Sequence, residues 1–440
     1  MARRPRSIWR AARNIAAAAA VVLTAAGAAG AQQVARAVLP NGLTVVAMPR
    51  ENSSLAAIVV LVKTSALDET PQTAGIRQLT QQVLMRGSTH LRGNEIAVAI
   101  EEVGGTIGAS ATQDYVEFDA VCLSSGFERA MALVGDIVRN PAFDPVEVAG
   151  QRQTLLAHQR TAAADNYRAS LTNLLAALYP NHPYGLPMLG TPETVRAMTG
   201  ETLRAFHAKH YLPANTIVAV AGGVSIERTL KAAKAAFGSW TGPPPPRHEA
   251  AEPPALEGTS LTADQSGGRQ IAMMMGYRVG GPRSPDYAAL KVIEALLGGG
   301  MISRFFREVR EREGLAYQVN CVYEPNWQGG CLMAYALTGH MGLEAPRRAL
   351  LTQFLRLREE LVPEAELDAA KRFAIGQYMR RNQSSRSQAL ALAWAEGCGL
   401  GYEADAKFPG QVMRVSAQDV MRVARQCFGD HVLAVRLPGI

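Results

Sequence analysis

Gly242-Pro243-Pro244-Pro245-Pro246-Arg247-His248-Glu249-Ala250-Ala251-Glu252-Pro253-Pro254 is the stretch that organises this 440-residue chain. Proline lacks an N–H and fixes its own backbone angle, so this density excludes a helix or a central strand and reads as a semi-rigid linker over 242–254. The pieces on either side, 32–241 and 255–440, are each of ordinary domain size.

Outward from the linker, both pieces carry the same order of signals. The first has an apolar run from Leu55 to Val62, helical spacing at Ile76, Leu79 and Val83, a break at Gly87, a helix from Gly93 to Val103, and strand material after Gly104-Gly105. The second has an apolar run from Ile271 to Met275, a helix from Tyr287 to Leu297, a break at Gly298-Gly299-Gly300, a helix from Ser303 to Glu313, and a strand opening at Gly314. Each piece then has a long helical stretch, Pro145 to Leu178 or Pro363 to Trp394. Each closes with a helix and a strand: Thr202 to Phe206 with Thr216 to Ala221, and Ala417 to Cys427 with His431 to Arg436. Apolar spacing of three and four marks the helices, and short β-branched runs mark the strands. The repetition predicts a duplicated α+β unit.

Apolar residues make up 48% of the chain and charged residues 19%, a globular balance. Much of the formal charge of +7 is local. Arg3, Arg4, Arg6, Arg10 and Arg13 precede an uncharged run from Asn14 to Ala31, which ends in Ala29-Gly30-Ala31. This is the pattern of a signal peptide over 1–31, predicting cleavage after Ala31 and a periplasmic or secreted protein. The unbroken apolar run and small-residue site favour export over a mitochondrial presequence, and the run is short and alanine-rich for a membrane anchor. Without the leader the chain is close to neutral, so its basic pI gives no reason to expect nucleic acid. No P-loop, dinucleotide fingerprint, nucleophile elbow or basic-aromatic interleaving is present. The cysteines, Cys122, Cys321, Cys331, Cys398 and Cys427, form no C-x-x-C pair and read as small buried hydrophobes. Cys321 and Cys331 are the two that a bridge between neighbouring strands can be imagined to join.

Several segments, in order, resemble the pitrilysin/insulinase family of zinc peptidases, including the mitochondrial processing peptidases. They are Val38-Leu39-Pro40-Asn41-Gly42-Leu43, similar to that family's opening strand, and Ala74-Gly75-Ile76-Arg77-Gln78-Leu79-Thr80-Gln81-Gln82-Val83-Leu84-Met85-Arg86-Gly87-Ser88-Thr89, similar to its metal-binding helix. His182-Pro183-Tyr184-Gly185, Gly190-Thr191-Pro192-Glu193 and Tyr211-Leu212-Pro213-Ala214-Asn215 follow. Leu296 to Ser303, Arg304-Phe305-Phe306-Arg307-Glu308-Val309-Arg310 and Gly314-Leu315-Ala316-Tyr317 complete the set. The resemblance implies an α+β fold of two homologous lobes. Each is expected to be a mostly antiparallel sheet packed with helices on one side, together forming half of a clamshell.

The family's device is a His-x-x-Glu-His helix. Histidines at i and i+4 share one face and hold zinc, the intervening glutamate takes a proton from the bound water, and a glutamate on a later helix completes the ligand set. In that frame the histidine positions hold Arg77 and Gln81, and the general-base position holds Thr80. The downstream glutamate positions hold Gln151 and His158. Arginine keeps its proton, glutamine is a poor zinc ligand beside imidazole or carboxylate, and threonine has no carboxylate to act as base. These positions are expected to form a polar, hydrogen-bonded patch in an empty cleft. A rewired metal site would need His158 joined by His90, His182, His207 or His210. His207 and His210 read instead as exposed residues on a helix whose apolar face carries Leu203 and Phe206.

In the second piece Arg310 and Tyr317 flank Gly314-Leu315-Ala316. The resemblance implies an Arg/Tyr pair that faces the zinc across the cleft and holds the substrate backbone, by charge-assisted hydrogen bonds and by a hydroxyl on a carbonyl oxygen. The alternative is that Arg310 pairs with Glu308 or Glu313 while Tyr317 packs on the sheet. Gly298-Gly299-Gly300 reads as a turn between helices, and Tyr323 and Trp327 as core packing or a hairpin edge. The expected function is a non-catalytic subunit of an exported zinc metallopeptidase. It would carry no cofactor of its own, bind peptide or unfolded polypeptide, and pair with a homologous subunit that bears the zinc. The alternatives are an inactive scaffold or peptide-binding protein of the same fold, and an autonomous peptidase with a rewired site.

Overall fold

The computed structural model describes residues 33–246, 252–266, 270–339 and 342–438. The leader expected at 1–31, and part of the proline-rich segment, lie outside the described residues. The first sheet is built from β1 (Ala35–Val38), β2 (Thr44–Pro49), β3 (Leu55–Val62), β4 (Thr106–Ala111), β5 (Val116–Leu123) and β6 (Thr216–Gly222), in the order β1-β2-β6-β3-β5-β4. Its pairs are antiparallel except β2 with β6. The second is built from β7 (Thr259–Ser266), β8 (Ile271–Val279), β9 (Gln318–Glu324), β10 (Gly330–Thr338) and β11 (His431–Pro438), in the order β7-β11-β8-β10-β9, with β7 and β11 parallel. The fold is α+β in two lobes, as expected. Leu39-Pro40-Asn41-Gly42-Leu43 is not strand but the turn between β1 and β2. There Gly42 takes φ +88° and the Asn41 amide donates to the carbonyls of Phe237 (2.8 Å) and Trp240 (2.9 Å).

The first lobe carries α1 (Ile76–Leu84), α2 (Gly93–Glu101), α3 (Phe127–Arg139), α4 (Pro145–Ala164), α5 (Asn166–Leu178), α6 (Pro192–Ala197), α7 (Gly200–His210) and α8 (Ile226–Phe237). The second carries α9 (Tyr287–Gly298), a π-helical segment at Phe305–Arg312, α10 (Glu344–Glu359), α11 (Glu364–Arg381), α12 (Ser385–Gly397), α13 (Ala404–Arg414) and α14 (Ala417–Cys427). Each long helical stretch breaks once, at a capping residue. Asp165 accepts from Arg168 N–H to start α5, and Ser384 accepts from Ser387 N–H to start α12.

The breaks matter because they release one helix from each lobe to the other. In β3, Ile58, Val60 and Val62 face the first lobe's own helices, whereas Val59 and Leu61 face Ala389, Leu392 and Ala393 of α12. In β8, Met273, Met275 and Tyr277 face the second lobe's helices, whereas Ala272 and Met274 face Leu174 and Leu178 of α5. Central strands buried on both faces explain the unbroken apolar runs where a half-exposed strand would alternate. Each Val, Leu, Ile or Met side chain buried there contributes about 1.5–3 kcal/mol. Polar contacts fasten the exchange: Tyr179 O–H donates to Gly330 O at 2.9 Å, and Arg436 Nη1 donates to Ala163 O at 2.9 Å.

The suggested bridge between Cys321 and Cys331 is excluded by register. Cys321 lies opposite Ala334 and Cys331 opposite Glu324, and the two thiols enter different cores on opposite faces of the sheet.

Candidate functional site

Gly75 precedes helix α1 as its N-cap with a φ of +90° that suits glycine, and a Cβ added there would stand 2.8 Å from the Gly190 Cα. Thr194 Oγ1 donates to the Ala74 carbonyl at 2.8 Å, so the segment 190–194 buttresses the start of the helix. Beneath it lies Glu69, whose carboxylate accepts from the N–H groups of Gly75 and Arg77 (3.2 Å each) and from Arg77 Nε (3.1 Å). Arg77 is 1% exposed, and its Nη1 also donates to the carbonyls of Thr64 and Thr112. Burial pushes the Glu69 carboxyl up, opposed by the Arg77 charge and the two N–H groups. The residue at the first histidine position is therefore locked in an interior ion pair.

Thr80 is fully buried and Gln81 nearly so, where α1 packs against α4, α7 and β4. Thr80 Oγ1 and Gln81 Oε1 have no hydrogen-bond partner among the described residues. The expectation of a polar, hydrogen-bonded patch in an empty cleft is thus corrected: this helix face is covered, and of the three residues only Arg77 is well bonded. Gln151 is buried on α4, while His158, two turns on and past the buried Leu155, is exposed.

The other histidines are engaged elsewhere. His90 Nδ1 meets Asp136 at 2.6 Å, and His182 Nδ1 accepts from Tyr184 N–H at 3.1 Å. His207 and His210, expected to be exposed, are both buried. His207 Nε2 bonds the Val138 carbonyl at 2.8 Å, and burial lowers its pKa to about 4, so it stays neutral. His210 Nδ1 lies 3.0 Å from the buried Asp68. No group of three or more His, Cys, Asp or Glu side chains among the described residues is placed to hold a metal ion. A donor set of buried Arg, Thr and Gln does not fit zinc.

Arg310 and Tyr317 are brought together. The Arg310 guanidinium lies over the Tyr317 ring at 5.7 Å and over the Phe306 ring at 4.9 Å. Tyr317 is 75% exposed, so it does not pack on the sheet. Glu308 is taken by Arg312 Nη1 at 2.6 Å, and Glu313 also pairs with Arg312. The nearest carboxylate to Arg310, Glu311, stands at 3.9 Å, too far for a hydrogen bond. Both surface roles offered as alternatives for this pair are set aside by these contacts.

Sequence reasoning missed one polar junction. Asp114 ends the turn after β4. It accepts from Tyr184 O–H at 2.6 Å and from Trp327 N–H, in the β9–β10 turn of the other lobe, at 3.0 Å. Trp327 stacks on Tyr115 at 5.8 Å. Burial raises the Asp114 pKa to about 6 against the pull of those donors. No local motif announces this contact, since its partners are 213 residues apart.

Two interlocked α+β lobes define the class, a two-lobed metallopeptidase architecture, and in this chain α1 carries Arg77, Thr80 and Gln81. The model of insulinase (peptidase family M16) matches residues 44–192, and that of the peptidase M16 inactive domain matches 197–373. The chain belongs to peptidase family M16. It is 33% identical over 315 residues to an uncharacterized zinc protease of Mycobacterium leprae, covering 70% of each chain. It is 30% identical over 402 residues to one of Mycobacterium bovis, covering 89% of this chain and 90% of the relative. Among solved structures, a protease from Helicobacter pylori matches with TM-score 0.86 at 21% identity, over 92% of this chain and all of that one. A peptidase M16 inactive domain from Pseudomonas fluorescens matches with TM-score 0.85 at 22% identity, over 92% and 98%. Among the described residues no helix is long and apolar enough to cross a membrane.

Proposed function

We propose that this chain is the non-catalytic subunit of a heteromeric, exported zinc metallopeptidase, contributing a peptide-holding wall to a homologous subunit that bears the zinc. The observation that carries this reading is the contrast between two places in one chain. At the metal-binding helix Arg77 is sealed in an ion pair with Glu69, whereas Arg310 and Tyr317 stand exposed and free of strong carboxylate partners. A chain that has lost the chemistry and kept the wall suits a partner that supplies the chemistry.

The test is reconstitution with a homologous chain that carries His-x-x-Glu-His. The mixture is expected to form a complex and hydrolyse an unstructured polypeptide faster than the zinc-bearing chain alone. Arg310→Ala and Tyr317→Phe should each lower turnover with the complex intact. A complex whose rate ignores both substitutions would mark the chain as a scaffold. No complex and no gain in rate would remove the proposal.

A further inference from the structure

The geometry points to Phe306 as the positioning residue for Arg310: its ring holds the guanidinium so that the polar edge stays presented to the backbone of a bound polypeptide. This inference rests on the peptide-binding part of the proposed function.

Three observations carry it. The segment is π-helical, with Glu313 N–H donating to Glu308 O five residues back at 3.1 Å. Phe305 and Val309 enter the core completely, which leaves Phe306 half-buried and Arg310 beside it facing out. The guanidinium is then flanked by two aromatic rings, at 4.9 Å from Phe306 and 5.7 Å from Tyr317, with no carboxylate within hydrogen-bonding distance. An exposed arginine ordinarily loses much rotamer freedom when it binds. Contact with ring faces restrains the guanidinium and leaves its N–H donors unused, and those donors match the carbonyl oxygens of an extended chain. Tyr317 is itself a contact residue in the proposed function, so the restraint that is separable from contact is Phe306.

The experiment uses the full chain and a fluorescein-labelled, carboxymethylated lysozyme as the unstructured probe, read by fluorescence anisotropy. Phe306→Leu keeps apolar bulk and removes the aromatic face, so it should weaken binding about fivefold while the thermal midpoint stays close to wild type. Phe306→Trp should bind within about twofold of wild type. In an Arg310→Ala background Phe306→Leu should have no further effect. In parallel, the Arg310 Hδ protons should show an upfield ring-current shift by NMR, reduced in Phe306→Leu. Wild-type binding that Phe306→Leu leaves unchanged overturns the role of Phe306 and spares the peptide-binding reading. An equal loss in the Arg310→Ala background also overturns it, because the effect would then bypass Arg310. A wild-type chain that shows the ring-current shift yet binds no probe overturns the peptide-binding reading instead.

Discussion

Arg386 of the second lobe grips Asp119 of the first through two hydrogen bonds, Nε to Oδ2 and Nη2 to Oδ1, both 2.8 Å. The same Nη2 reaches Glu117 at 3.1 Å, so the first turn of α12 is pinned to β5. Burial raises the Glu117 pKa, offset by Ser110 and Arg386, so the arginine is what keeps two neighbouring carboxylates compatible.

Arg386→Ala should lower unfolding stability by about 1–2 kcal/mol, less than a fully buried pair because the arginine is 40% exposed. Urea unfolding followed by tryptophan fluorescence and by far-ultraviolet circular dichroism should give one shared transition in both proteins. Two separate transitions in the wild type would contradict the exchange of α5 and α12 between lobes.

Arg77→Met leaves Glu69 buried with its charge unpaired, and should cost about 3–5 kcal/mol. Adding Glu69→Gln should restore part of the loss, because the stranded charge is then gone. An Arg77→Met midpoint equal to wild type would show that the ion pair does not hold α1 in place.

The Asp114 carboxyl titrates at about 6 in the folded chain against an ordinary 3.8. Between these values the folded state binds more protons than the unfolded state. Stability from this group is therefore complete below about 3.8 and declines as pH rises through 6, by up to about 3 kcal/mol. Asp114→Asn should remove this decline, seen as a smaller pH dependence of the urea midpoint between pH 4 and 7. A parallel pH dependence in both proteins would refute the assignment.

The purified chain should carry well under one zinc per molecule by elemental analysis, and a chelator should leave its melting temperature unchanged. A zinc site of useful affinity would raise that temperature by mass action. Stoichiometric zinc together with chelator-sensitive hydrolysis of a polypeptide would return the chain to the active peptidases.

The order of strands and helices was readable because central strands and amphipathic helices carry their periods locally. That Arg77, Thr80 and Gln81 share one helix was readable too, since their spacing of three and four is helical and the structure seats all three on α1. His207 and His210 were misjudged, although Leu203, Phe206, His207 and His210 fall on one face at helical spacing. A neutral imidazole with a carbonyl partner packs as an aromatic ring, and only Val138 across the core reveals the partner. The lending of α5 and α12 had no local signal, because Leu174 and Leu392 look equally able to face their own lobe. At Arg310 the spacing of four from Phe306 was legible on a helix, but that the Phe306 and Tyr317 rings both flank the guanidinium shows only in the structure.

The reciprocal placement of α5 and α12 has a consequence for synthesis. A ribosome that has released the first half delivers a sheet whose lower surface, with Val59 and Leu61, stays wet until Ser385–Gly397 has emerged. Meanwhile Asn166–Leu178 waits for a sheet that does not yet exist. The nascent chain therefore cannot mature half by half, and its apolar surfaces stay open to chaperones until translation is nearly complete.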